Sequence, residues 1–175
     1  MTSTFILASG SPRRRELLAS LGIDFTIMKP DINEDQHPGE NPYDHVRRLS
    51  VEKAAAVAAR LDSADTPGAV ILAADTVVIL SADTIGVIDG DDGTILGKPT
   101  DADEARAMLR RLREQKHHQV CTAITLIKRA DDQQTQLTRL THTRVTLRAY
   151  TDAEIEAYIE SGDPFDKAGS YSIQH

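Results

Sequence analysis

Ala69-Val70-Ile71-Leu72-Ala73-Ala74-Asp75-Thr76-Val77-Val78-Ile79-Leu80 is the stretch on which the fold turns. Its near-continuous run of apolar and β-branched residues marks a strand covered on both faces, as at the centre of an α/β sheet. Asp75-Thr76 interrupts that run. A carboxylate there is costly unless it has partners, and aspartate disfavours strands, so Asp75 is either a hydrogen-bonded residue at a bulge or a functional group.

The segments around this strand alternate between strand and helix patterns. Thr4-Phe5-Ile6-Leu7 is a short strand leading into Ala8-Ser9-Gly10-Ser11-Pro12-Arg13-Arg14-Arg15. Ser11 is placed as the N-cap and Pro12 at the first helical position, with Leu17, Leu18 and Leu21 as the apolar side of the helix. A small-residue loop at a helix start exposes backbone N–H groups and favours an anion. Three arginines on the first turn oppose the dipole, so they read either as solvated surface charge or as ligands of a polyanion. Phe25-Thr26-Ile27-Met28 is a second strand. Residues 31–39 form an acidic loop, which is either a plain connection or a carboxylate supply for a hard cation.

Asn41-Pro42 starts a second helix running to about Leu61, with Val46, Leu49, Ala54, Val57 and Leu61 at helical spacing. Lys53 falls on this apolar stripe rather than opposite it. A lysine so placed either snorkels to water, the commoner outcome, or aims its ammonium at an internal anion. Residues 81–95 read as a hairpin-like excursion with turns at Asp89-Gly90 and Asp92-Gly93, followed by a loop presenting Lys98. Thr100 with Asp103 reads as a capping-box pattern opening a third helix whose buried side is Ala105, Met108, Leu109 and Leu112. Two strands follow, Gln119 to about Lys128 and about Leu137 to Leu147, with Thr143, Val145 and Leu147 alternating in the second. His117-His118 are expected in the preceding loop. Thr151 and Glu154 form a capping box for a fourth helix with Ile155, Tyr158 and Ile159 on its apolar side.

Composition narrows the function classes. At 175 residues the chain is read as one domain, 1–175, with room for a core that needs no disulfides. Twenty basic against 27 acidic residues give a net charge of −7, and aromatic residues make up 4% without any Trp. That balance argues against broad nucleic-acid binding. The single cysteine, Cys121, fits core filling in a reducing compartment. No run approaches the ~18 apolar residues of a membrane span, so the expectation is a cytoplasmic protein without membrane partners. The sequence contains no G-x-x-x-x-G-K-[ST], no G-x-G-x-x-G and no G-x-S-x-G. What remains is an anion-binding helix start, two off-pattern lysines (Lys53 and Lys98), an acidic loop and Asp75. These are the parts of metal-assisted phosphate chemistry.

Leu7-Ala8-Ser9-Gly10-Ser11-Pro12-Arg13-Arg14, Ala74-Asp75-Thr76-Val77-Val78, Gly97-Lys98-Pro99, Thr122-Ala123 and Asp166-Lys167-Ala168-Gly169-Ser170-Tyr171-Ser172-Ile173-Gln174 together resemble the Maf family of nucleotide pyrophosphatases. The blocks occur in family order along essentially the whole chain. The resemblance implies an elongated α/β fold, a mixed twisted sheet with flanking helices shared with inosine triphosphate pyrophosphatases, often as a homodimer. It also implies hydrolysis of a nucleoside triphosphate to the monophosphate and pyrophosphate with Mg²⁺ or Mn²⁺. Asp75 matches the proton acceptor, and Ser11, Arg13, Arg14, Glu34, Lys53 and Lys98 match positions serving phosphate, metal or catalysis. Glu34 and Asp75 are the expected metal ligands. Arg13, Thr76 and Gln174 resemble the branch acting on dTTP and UTP, with modified pyrimidine triphosphates such as 5-methyl-UTP also expected as substrates.

Family members continue past Ile-Gln with a glycine-rich turn, a strand and a final helix. This sequence reaches His175, so the C-terminal strand and helix are expected to be missing. That makes a nucleotide-binding or interaction protein without turnover the competing expectation. An inosine triphosphate pyrophosphatase-like enzyme is a third, which Arg13, Thr76 and Gln174 disfavour.

Overall fold

The computed structural model describes residues 4–61, 66, 68–80, 93–130 and 133–172. In chain order these form β1 (Phe5–Leu7), α1 (Pro12–Ala19), β2 (Thr26–Ile27), α2 (Pro42–Ala58), β3 (Val70–Leu80), β4 (Thr94–Leu96), α3 (Ala102–Gln115), β5 (His117–Ala130), β6 (Gln133–Thr146) and α4 (Asp152–Glu160), then two short 3₁₀ turns. The sheet order is β2-β1-β3-β5-β6, with β4 also pairing β3. β1 runs parallel to β2 and β3, in register Ile6↔Ile71, whereas β4 is antiparallel to β3, in register Val78↔Leu96. The sheet is therefore mixed, as expected of an α/β protein, and its longest apolar strand pairs with β1, β4 and β5.

Contacts gather into two compact units. The first comprises residues 1–40, 44–75 and 122–140; the second comprises 41–43, 76–121 and 141–175. In the first, Ile6 of β1, Ala8 just beyond it and Ile71 and Ala73 of β3 meet Ala54 and Val57 of α2 in a buried core. Ala54, Val57 and Ala58 stand three and four apart, so one narrow face of α2 does this packing. In the second unit, Val78 and Leu80 pack with Leu96, Met108 and Leu112, and α3 meets α4 through Ala105, Leu109, Ile155 and Ile159.

Gly169 sits at φ 70°, and a Cβ there would lie 3.0–3.1 Å from three side-chain atoms of Val78. Both the left-handed backbone and the close approach to β3 require glycine. The capping box at Thr151 and Glu154 is complete, with each partner bonding the other's backbone. Cys121 is buried and unpaired by disulfide.

Several local expectations are corrected. Leu17 is 50% exposed and Leu21 71%, so only Leu18 of the proposed apolar side of α1 is buried. The helix ends at Ala19, after two turns, and presents one residue inward rather than a stripe. The cap of α3 is Asp101, whose side chain accepts from the Glu104 N–H, while Glu104 reaches back to the Thr100 N–H and hydroxyl. The motif is thus one residue later than Thr100 with Asp103, because aspartate is at least as good a cap as threonine.

His117 and His118 lie in β5, not in a loop, and His118 is buried edge-on against Tyr171. Apolar burial of a neutral imidazole outweighs the polar character of the pair. β3 runs through Asp75-Thr76 without interruption. Thr143 is exposed, since β6 is the last strand of the sheet and most of its residues face solvent. The turns at Asp89-Gly90 and Asp92 lie outside the described residues, as do Asp131 and Asp132.

Candidate active site

The first unit brings side chains from α1, the loop before α2, α2 and β3 to one place. β1 ends in the Ala8-Ser9-Gly10-Ser11 loop, and Ser11 takes the extended N-cap conformation (φ −72°, ψ 121°) with Pro12 at the helix start. Ser11 makes no side-chain cap bond. Instead the buried Ser9 hydroxyl accepts from the Ser11 N–H at 3.2 Å and from Arg14 Nη1 at 3.3 Å. Ser9 therefore shapes the loop and orients the arginine, and its sequence signal was only its place in the small-residue run. Gly10 lets the loop pass under the Lys29 side chain, whose Cε would lie 3.0 Å from a Cβ at this position.

Lys53 does not snorkel. It is 5% exposed, and its ammonium donates to Asp75 Oδ1 at 2.7 Å and to Glu34 Oε2 at 2.6 Å. Its place on the apolar stripe of α2 carries it inward, and two carboxylates supply the internal anion that makes burial affordable. Asp75 is buried in the middle of β3, an otherwise apolar strand. Burial pushes its carboxyl above the usual carboxylate range; Lys53 and, less strongly, Arg14 oppose that shift, while Glu34 adds to it. Burial also lowers the proton affinity of Arg14, against the attraction of Asp75 and Glu34. Arg14, Glu34, Lys53 and Asp75 thus form one electrostatically coupled group.

Arg13 is exposed on α1 with Glu16 3.8 Å away. Arg15 is exposed on the same turn. Lys98 belongs to the second unit, is 62% exposed and forms an ion pair with Asp166. Thr76 follows Asp75 in β3 and is half-buried. Gln174 lies outside the described residues.

A hard divalent ion fits the donor chemistry of Glu34 and Asp75. Both are carboxylates, both already converge on a cationic group, and among the described residues each spends one oxygen on Lys53. Among those residues there is no cluster of three or more His, Cys, Asp or Glu side chains able to hold a metal. Two carboxylates without a protein cage suit magnesium, which usually keeps several waters and shares substrate phosphates.

An α/β protein with a serine-glycine loop at a helix start, and a buried strand carboxylate held by a lysine and influenced by the charge of an arginine, belongs to the class built to handle phosphate esters. Residues 4–175 match the profile described as Maf-like protein, and the chain belongs to the Maf family. It is 47% identical over 169 residues to a protein of Myxococcus xanthus named dTTP/UTP pyrophosphatase, covering 97% of this chain and 75% of that one. A protein of the same name from Shigella dysenteriae is 45% identical over 174 residues, covering 99% and 78%. Among solved structures, the dITP/XTP pyrophosphatase of Mycobacterium abscessus aligns over 82% of this chain and 72% of its own, at 13% identity and a TM-score of 0.40. No helix among the described residues is long and apolar enough to cross a membrane.

Proposed function

We propose that this protein hydrolyses nucleoside triphosphates, dTTP and UTP foremost, to the monophosphate and pyrophosphate. The reading rests on Asp75, a buried carboxylate whose proton affinity is raised by its surroundings while Lys53 holds it in place. Its support at the level of substrate is the name shared by relatives of 41–47% identity.

In this mechanism the loop N–H groups around Ser11, together with Arg13 and Arg14, bind phosphate oxygens. Asp75 accepts a proton from a water that attacks the α-phosphorus. The bond between that phosphorus and the bridging oxygen breaks, and pyrophosphate leaves with the electron pair. A base with raised proton affinity is better matched to this task than an ordinary aspartate. Lys53 orients Asp75 and limits the rise in its pKa, so the carboxylate remains ionised often enough to act. Glu34 and Asp75 would hold Mg²⁺ or Mn²⁺, which when bound supplies positive charge against the phosphate oxygens. Lys98 takes the counter-charge role, and Thr76 and Gln174 the base-choice role, that the family resemblance assigns them. The protein works in the cytoplasm, in keeping with a buried cysteine outside any disulfide, and as a homodimer in keeping with its family.

The test is a pyrophosphate-release panel with dTTP, UTP, CTP, ITP and 7-methyl-GTP, with and without divalent metal. Metal-dependent release confined largely to dTTP and UTP is expected. Turnover restricted to ITP would overturn the pyrimidine assignment. Binding without turnover would favour an interaction protein instead.

A further inference from the structure

Glu34 is the least anchored member of the catalytic group. Its side chain is 58% exposed, and among the described residues its partner is Lys53 alone. A single ion pair whose carboxylate side is open to water fixes a loop only weakly, and residues 28–41 contain no helix or strand. The position of Glu34 must therefore come from how its loop is held.

One side chain of α2 does the holding. Arg48 donates to Glu40 through Nε at 2.6 Å and through Nη2 at 2.9 Å, the parallel fork geometry of a strong arginine–carboxylate pair. The same Nη2 donates to the backbone carbonyl of Asp35 at 2.9 Å, one residue beyond Glu34. Glu40 in turn accepts from the His37 N–H at 3.1 Å and lies 3.0 Å from His45 Nδ1. Its carboxylate is 10% exposed and sits well below the usual carboxylate range because Arg48 stabilises its charge. Two further bonds close the loop on itself: Gln36 Nε2 to the Glu40 carbonyl, and the Glu40 N–H to the His37 carbonyl.

A buried ion pair costs much of what it returns in stability. Here it joins the loop to the helix that carries Lys53, so both partners of the Lys53–Glu34 bond hang from α2. We propose that Arg48, locked by Glu40, is the positioning residue for Glu34. This inference rests on the catalytic reading of Glu34 given above.

The test is a double-mutant cycle on the full chain, combining Arg48→Met with Glu34→Gln, with Arg48→Lys alongside. Losing a partner that orients a ligating carboxylate typically costs about 10–100-fold. Arg48→Met should lower kcat/KM by that much in the wild-type background and by little in the Glu34→Gln background. Arg48→Lys should restore only part of the loss, since an ammonium cannot form the fork. Thr151→Ala, a cap substitution in the second unit, serves as a control that lowers stability without changing kcat/KM.

Hydrogen exchange gives a second readout that needs no substrate. The amides of Asp35 and His37 should exchange faster in Arg48→Met while those of α2 hold. Equal fold-losses in both backgrounds, or unchanged exchange at Asp35 and His37, would overturn the proposal. If the wild-type chain released no pyrophosphate, the functional reading would fail on its own, and the exchange experiment would still decide whether Arg48 holds the loop.

Discussion

Replacing Lys53 by methionine preserves the length of the side chain and removes its charge. The ammonium contacts Asp75 at 2.7 Å and Glu34 at 2.6 Å, and the two carboxylates differ sharply in exposure, 9% against 58%. Water takes over at Glu34, where the loss is small. At Asp75 it cannot, and removing one partner of a buried pair costs about 3–5 kcal/mol. In a protein of this size that is a fall of roughly 6–20 °C in Tm.

The loss should depend on pH. Burial already raises the Asp75 carboxyl, and Lys53 is the main group opposing it. Without Lys53 the native pKa rises further above its unfolded value. The native state then binds the proton more tightly, so stability falls as pH rises through the native pKa. Lys53→Met should therefore cost more at about pH 8 than at about pH 5, since protonation of the raised Asp75 carboxyl relieves the buried charge as pH falls. The double variant Lys53→Met/Asp75→Asn carries no buried charge there and should recover most of the loss at the higher pH. Urea unfolding at both pH values measures this. Equal losses at the two, or a double variant no more stable than the single one, would refute the reasoning.

Asp75→Asn should lower single-turnover pyrophosphate release by about 10²–10⁴-fold, the usual contribution of a positioned base, while nucleotide still binds; release at the wild-type rate would remove Asp75 from the chemistry. Burial pulls the His118 imidazole down to about 4. Its contribution to stability is then complete above the ordinary histidine pKa and is lost as pH falls through the native value. Across that window the wild type should lose about 1.4 kcal/mol per pH unit relative to His118→Gln, as read from denaturant midpoints. Gly169→Ala should destabilise by about 1–3 kcal/mol, from the left-handed backbone and from overlap with Val78; a thermal melt indistinguishable from wild type would show that the turn yields.

The parts of the fold that were readable are those where one period dominates. β3 is a long apolar run, α3 repeats its apolar residues at three- and four-residue spacing, and Thr151-Glu154 has two reciprocal side chain–backbone bonds that need no tertiary partner. α1 is not legible in the same way, because eight residues with three arginines offer a face too short to define, and Leu17 and Leu21 stand exposed despite their apolar spacing. His118 was misread because a histidine gives no period, and its burial is decided by Tyr171, more than fifty residues away.

Within the candidate site the same division holds. Asp75, Lys53 and Arg14 stood out because each breaks a local rule: a charge in an apolar strand, a charge on an apolar stripe, a cation at a helix start. Ser9, Glu40 and Arg48 break none. A serine in a small-residue loop, a glutamate before a helix and an arginine within one are ordinary in sequence, and only their convergence on Arg14 and on the Asp35 carbonyl gives them a role.

The violations on Asp75 and Lys53 are also linked energetically. An asparagine or valine at position 75 would spare β3 a desolvated charge, and a leucine at position 53 would complete the stripe of α2. Either change alone strands the other residue's charge. Together they would give a conventional apolar core without the proposed proton acceptor. In the proposed mechanism the pair is stability forgone for chemistry, with Lys53 holding the cost of Asp75 low enough for the unit to fold and leaving its proton affinity high enough for the carboxylate to work as a base.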